Sequence, residues 1–565
     1  MTTPSDLEIA QAATFEDLET IGGRAGIDAS LLEPYGDHVA KIRLSALGRP
    51  HGGKRARYIL VSAITPTPLG EGKTTTTVGL GQAFSHLGKT ATIAIRQPSL
   101  GPTFGIKGGA AGGGYSQVIP MERLNLHLTV DFHAVTSAHN MMAALLDSHL
   151  FHGNEAGIDP ETITWRRVLD VNDRSLRNIV IGLGGREDGI TRQTGFDITA
   201  ASEVMAVLAL ASSIADLRAR LGRIVVGYTR DGVAVTAEAI GGAGAMAAIL
   251  ADALKPNLLQ TLEHTPALIH AGPFGNIAHG NSSVIADLIG IDGPDVLLTE
   301  AGFGADMGAE RFCNIKCRAS GLTPDAAVMV VTVRALKSHS GAHRIIAGKP
   351  LPRDLFENRP DEVRLGGANL VKQIENLQRH GLRTVVAINA FPEDHPDEYR
   401  VIEEIAASHG CVARVTTHHR DGGAGAVALA EAVWEAADEG SSFRFLYEPA
   451  LGLEEKIERI ATEIYGADGI DLSPAARRQL EVHEANGFSH LGVCIAKTHL
   501  SISSDPTLVG APTGWRLPVR EIRASVGAGF LYAICGEMRT MPGLGTHPAA
   551  HRIDITATGQ ITGLS

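Results

Sequence analysis

Residues 58–88 read YILVSAITPTPLGEGKTTTTVGLGQAFSHLG, and the chemistry this order suits is the holding of phosphate. A β-rich run from Tyr58 to Ala63 leads into Thr67-Pro68-Leu69-Gly70-Glu71-Gly72-Lys73-Thr74. A helical pattern follows, with Leu80, Ala83, Phe84 and Leu87 on one face and Gly88 as its stop. This is the strand–GxxxxGK[ST]–helix context of a nucleotide-binding loop, with Thr67 in place of the first glycine. Gly70 and Gly72 let backbone N–H groups turn toward phosphate oxygens, and the helix N-terminus adds partial positive charge. Lys73 is placed to reach the β- and γ-phosphates and Thr74 to ligate magnesium. Glu71 is read as solvated rather than catalytic. A glycine turn with an incidental Lys-Thr is the plainer alternative; the strand before and the helix after argue against it.

Ligands of open α/β sheets sit beyond the carboxyl ends of the strands, so the residues following each β-rich run come next. Arg96 ends the run Thr92–Ile95. It would lie close to the phosphate loop if that strand neighbours Tyr58–Thr65, and its rigid fork suits a carboxylate or acyl phosphate. Six glycines between Gly105 and Tyr115 allow the backbone close to a ligand, with Lys107 beside Gly108 supplying charge. Phe303 sits among glycines after the run Val296–Thr299, and Asn389, Phe391 and Pro392 end the run Arg383–Asn389. Aromatics in such loops suit the flat face of a ligand. His127, Asp131, His133 and His139 invite a metal reading, but the spacing is not HExxH. Asp131 is instead taken as an ion or hydrogen-bond anchor. Cys313 and Cys317, one helical turn apart with no second pair, read as ordinary buried thiols.

The elements that must position these groups are short β-rich runs alternating with helical patterns. The remaining runs are Ile179–Leu183, Arg223–Gly227 and Ala327–Val333. Near-continuous apolar runs point to strands covered on both faces, hence an α/β protein with a phosphate-loop parallel sheet and additional smaller α/β domains. The chain has 565 residues, long enough for several units. Boundaries are expected in the stretches 348–367 and 439–455. Glycine, at 65 residues, belongs in structured loops, and aromatics at 5% are too sparse for stacking on single-stranded nucleic acid. A net charge of −12 argues against a nucleic-acid partner. The first twenty residues lack a signal-peptide pattern, residues 198–215 read as a buried helix, and the five cysteines are scattered. A cytoplasmic protein without a membrane partner is expected.

Read together, TPLGEGKTTT, RQPSLGPTFGIKGGAAGGGY, NLHLTVDFHAVTSAHN, TEAGFGADMGAERF, VVAINAFPED and MPGLGTHPAA, in that order, resemble the formate–tetrahydrofolate ligase (formyltetrahydrofolate synthetase) family over nearly the whole chain. The resemblance implies an ATP- and magnesium-dependent ligase, usually a homotetramer. Formate would attack the γ-phosphate of ATP, and the N10 amine of tetrahydrofolate would take the formyl group from formyl phosphate. It assigns Thr67–Thr74 to ATP, with Lys73 and Arg96 catalytic, and Arg96, Lys107 and Gly108 to formate and formyl phosphate. Phe303, Phe391, Pro392 and His419 go to the folate. Family enzymes are stimulated by potassium or ammonium, and Gln97 with Asp131 is the candidate site for that cation. The implied domains are 1–365 for ATP and formyl phosphate, with a subdivision near 150–295, then 366–455 beside the folate, then 456–565.

Several positions depart from the family pattern. Gln97 stands where a glutamate is usual, His418-His419-Arg420-Asp421 where a tryptophan precedes the glycines, and Thr498-His499-Leu500 within the usual KTQYS. Ala271, Gly275 and Asn281 replace the common Gly, Ala and Cys. These changes leave a second reading open, a specialised paralogue activating formate or another small acid for a modified folate or a different amine. A third reading is a phosphate-loop switch that hydrolyses nucleotide to control a partner.

Overall fold

The computed structural model describes residues 4–48, 55–105, 111–343, 345–346, 350–536 and 538–564. Its centre is a twisted sheet in which seven strands run parallel. Across the sheet they are Pro266–Ile269, Ala91–Ile95, Val296–Glu300, Arg57–Ala63, Ala326–Val331, Thr384–Asn389 and Val412–Thr416. The strand Asn257–Thr261 joins antiparallel at the Pro266–Ile269 edge. The apolar runs have a simple cause. Tyr58 and Leu60 face one buried cluster while Ile59, Val61 and Ala63 face another. Ala327, Met329 and Val331 alternate with Ala326, Val328 and Val330 in the same way. Both faces being dry, no polar alternation survives in the sequence.

Several expectations need correction. Thr92–Ile95 does not neighbour the phosphate-loop strand, because Val296–Glu300 lies between them, pairing Leu297 with Tyr58 on one side and with Thr92 on the other. The run Ile179–Leu183 forms an antiparallel ribbon with Arg192–Thr194, and the run Arg223–Gly227 contributes to a ribbon with Ala234–Thr236. The first of these runs leaves Val180 and Leu183 exposed, and a short apolar run does not by itself say whether its residues end up in a buried sheet or a surface ribbon. The 366–455 stretch is not a separate sheet: its strands Thr384–Asn389 and Val412–Thr416 continue the central one. Position 366 itself lies inside the helix Pro360–Arg379. Corrections at Glu71 and Asp131 are given with the site.

Beyond about residue 447 the chain has its own hydrophobic cluster. It builds a three-stranded sheet, Gly492–Ala496, Phe530–Ile534 and Glu521–Ser525, beside smaller pairs. The alanine-rich stretch around 203 is a buried helix, Glu203–Leu210. Among the described residues no helix is long and apolar enough to cross a membrane.

Candidate active site

The parallel strands all end on one edge, and the phosphate loop leaves the sheet near its middle. Gly70 and Gly72 adopt φ of 75° and 76°, the left-handed region that glycine occupies without penalty. Gly72 caps the helix Lys73–His86, and a Cβ there would run into the Asn389 amide. Asn389 Nδ2 donates to the Glu71 carbonyl at 3.2 Å, so the end of one strand braces the loop of another. Glu71 is buried, 4% exposed, and accepts from the Thr67 N–H at 2.6 Å and the Thr67 hydroxyl at 3.1 Å. It shapes the loop and is not solvated. The helix opening leaves first-turn N–H groups without intrahelical partners, as an anion site requires.

Thr74 Oγ1 donates to Glu300 Oε2 at 2.8 Å. Glu300 ends the neighbouring strand and is 6% exposed. On its other side lies Arg96. Burial pulls the Arg96 pKa down and the Glu300 carboxylate pushes it up. Arg96 Nη1 donates to the Pro273 carbonyl at 3.0 Å, while its Nε has no hydrogen-bond partner among the described residues. The order along the edge is therefore phosphate-loop hydroxyl, carboxylate, guanidinium.

Unsatisfied buried polar atoms gather here. His279 is fully buried with neither ring nitrogen hydrogen-bonded, and both amide atoms of Asn281 and Gln97 Oε1 are likewise unpartnered. Burial holds the His279 pKa well below its ordinary value, reinforced by the cations Lys316, Arg96 and Arg311. Buried groups without partners cost about 1–3 kcal/mol each; a bound polar ligand removes that cost.

The aromatic candidates fall into two groups. Phe391 and His419 follow adjacent strands, whereas Phe303 follows Val296–Glu300 on the other side of the phosphate loop. Phe303 has φ 61° and stacks on His499 with centroids 4.5 Å apart and planes 21° apart. Arg334 covers one face of the Phe391 ring at 3.4 Å, and Pro392 is exposed. The His419 carbonyl accepts from the Tyr115 N–H at 2.8 Å. Lys107 and Gly108 lie outside the described residues. Asp131 is removed from the cation reading: it is fully buried, pairs with Lys41 at 2.7 Å and accepts from Asn257 Nδ2 at 2.7 Å. Its charge is already balanced.

A family model described as formate–tetrahydrofolate ligase matches residues 4–565. The chain is 65% identical to the formate–tetrahydrofolate ligase of Saccharopolyspora erythraea over 565 residues, the whole of both chains. It is 65% identical to formate–tetrahydrofolate ligase 1 of Rubrobacter xylanophilus over 570 residues, 99% of each. Against the formate–tetrahydrofolate ligase of Cutibacterium acnes the identity is 60% over 560 residues, 99% of this chain and 100% of the relative. The chain belongs to the formate–tetrahydrofolate ligase family.

Membership gives the missed residues their context. Glu300 escaped the sequence reading although the rule that found Arg96, a charged residue ending an apolar strand, applies equally to Val-Leu-Leu-Thr-Glu300. Thr74 and Glu300 supply a hydroxyl and a carboxylate, hard oxygen donors of the kind that suit a divalent cation such as magnesium. His279 could not be found by pattern, because being buried without a partner is decided by the tertiary structure alone. His499 was noticed only as a departure, and its stacking on Phe303 is a long-range contact.

Proposed function

We propose that this protein ligates formate to tetrahydrofolate at the expense of ATP, through formyl phosphate. The observation that carries the reading is the succession Thr74, Glu300, Arg96 along one sheet edge beside a braced phosphate loop. In this reading the loop N–H groups and Lys73 hold the triphosphate, and Thr74 and Glu300 would hold magnesium, which would neutralise phosphate charge. Arg96 presents formate with an oxygen toward the γ-phosphorus. That oxygen forms the new bond to phosphorus as the bond to the ADP oxygen breaks. Burial around His279 and Asn281 keeps water from the mixed anhydride. The N10 amine then bonds to the formyl carbon, loses its proton, and inorganic phosphate leaves. Aromatic faces at the strand ends, Phe303 and Phe391 with His419 and Pro392, hold the folate.

The test is an assay with ATP, magnesium, formate and tetrahydrofolate, following both 10-formyltetrahydrofolate and ADP. Equal yields of the two products, each requiring formate, are expected, and Lys73→Met should lose about 10²–10³-fold in rate. ADP release that ignores formate would reject the reading.

A further inference from the structure

On the face where the C-terminal unit meets the 166–178 segment there is a cavity of about 200 Å³ lined by Arg166, Arg177, Arg520, Arg523 and Arg539. Tyr532 and Ile277 supply apolar wall. Five guanidiniums around one small space run against the character of a chain whose net charge is −12. The carboxylates that pair with them stand to the side. Asp197 is 3.6 Å from Arg166, and Glu521 pairs with Arg520 at 3.1 Å and Arg523 at 2.8 Å. Among the described residues no carboxylate lines the cavity.

The positive groups are also held in place. Arg177 Nε donates to the Met541 carbonyl at 2.9 Å, and Arg166 Nη1 donates to the Arg177 carbonyl at 3.1 Å. Gathering like charges in a partly buried space costs free energy that a multiply charged anion repays. A single negative charge cannot engage several forks at once; closely spaced carboxylates or phosphates can.

We propose that this cavity binds an anion carrying two or more closely spaced negative charges. Two sources share that chemistry. One is the glutamyl end of the folate substrate, with its two carboxylates. Ile277 belongs to the same loop as Gly275, where a Cβ would stand 2.9 Å from the Phe303 ring, so the cavity and the Phe303 face share a wall. The other is a free polyanion acting as an effector. The folate source rests on the proposed function; the anion site does not.

The probe is tricarballylate, which has three carboxylates and no phosphate to compete for the phosphate loop. It is titrated by calorimetry at low ionic strength into the full-length wild type, Arg177→Gln, Arg520→Gln and the double variant. Arg520 is exposed, so its replacement tests the cavity without threatening the fold. Each single variant should bind about tenfold more weakly, and the double variant more weakly still, with ATP affinity unchanged. If saturating tetrahydrofolate abolishes the tricarballylate heat, and its KM rises in the variants, the anion is the folate's carboxylate end. Independent binding of the two identifies a free polyanion. Arginine-dependent binding in a protein without ligase activity would leave the site standing and remove the proposed function. No binding to the wild type, or equal affinity in wild type and double variant, overturns the proposal.

Discussion

Thr74 Oγ1 and Glu300 Oε2 stand 2.8 Å apart, tying the first turn of the phosphate-loop helix to the end of the neighbouring strand. Glu300 thereby stands between the phosphate loop on one side and Arg96 on the other. Glu300→Gln keeps a group that accepts the hydroxyl bond but removes the charge. The expected outcome is a loss of about 10²-fold in kcat with a raised magnesium requirement. Unchanged magnesium titration curves would remove Glu300 from the cation's surroundings.

Arg96→Lys replaces a fork with a point charge. Most activity should be lost, with formate saturation shifted to higher concentration as well as turnover reduced. Steady-state kinetics varying formate at saturating ATP and folate decide the matter. Normal formate kinetics would reassign the residue.

Phe391 and His419 follow adjacent strands of the central sheet. Stacking contributes about 0.5–1.5 kcal/mol beyond area burial, so Phe391→Ala should raise the tetrahydrofolate KM several-fold and leave that for ATP alone. His419→Trp should lower it, since indole offers more area than imidazole. Phe303→Ala should weaken folate in the same selective way. Parallel losses for ATP and folate in any of these alanine variants would mean a structural role.

Gln97 Oε1 is buried without a partner, and the nearest expected anion, Asp131, is neutralised by Lys41. An amide dipole holds a hard monovalent cation less well than a full charge. Potassium stimulation should therefore be weak, and Gln97→Glu should strengthen it. Potassium titrated against a large organic cation at constant ionic strength in both proteins is the check. Strong stimulation in the wild type, unaltered by the substitution, would place the cation elsewhere.

Glu203 is half-buried, and its carboxyl accepts from the Gly527 N–H at 2.8 Å and the Ala528 N–H at 3.4 Å. Burial pushes its carboxyl from 4.5 up to about 8, against the lowering effect of those backbone donors. The folded state thus holds a proton that the unfolded chain releases near pH 4.5. Its contribution to stability is full below about pH 4.5 and is lost as the pH rises toward 8, by on the order of a few kcal/mol. Glu203→Gln keeps the accepting oxygen and cannot ionise. Denaturant midpoints compared between pH 5 and 8.5 should fall less in this variant than in the wild type.

The local order of residues was enough to place the phosphate loop, because its strand, glycines and helix are contiguous and their backbone demands are written in residue type. It was enough for five of the parallel strands too, since burial on both faces demands unbroken apolar runs. Motifs spread along the chain also carried the family. What order along the chain could not settle is adjacency across the sheet. The insertion of Val296–Glu300 between the strands of the phosphate loop and of Arg96 is a matter of long-range hydrogen bonding, and it alone makes Glu300 a member of the site. Burial was equally hidden. Glu71 read as solvated and Asp131 as an anchor for an ion in sequence, yet Thr67 and Lys41 claim them once the chain closes. His279 is left with two unpartnered ring nitrogens only because the surrounding elements strip it of both water and partners.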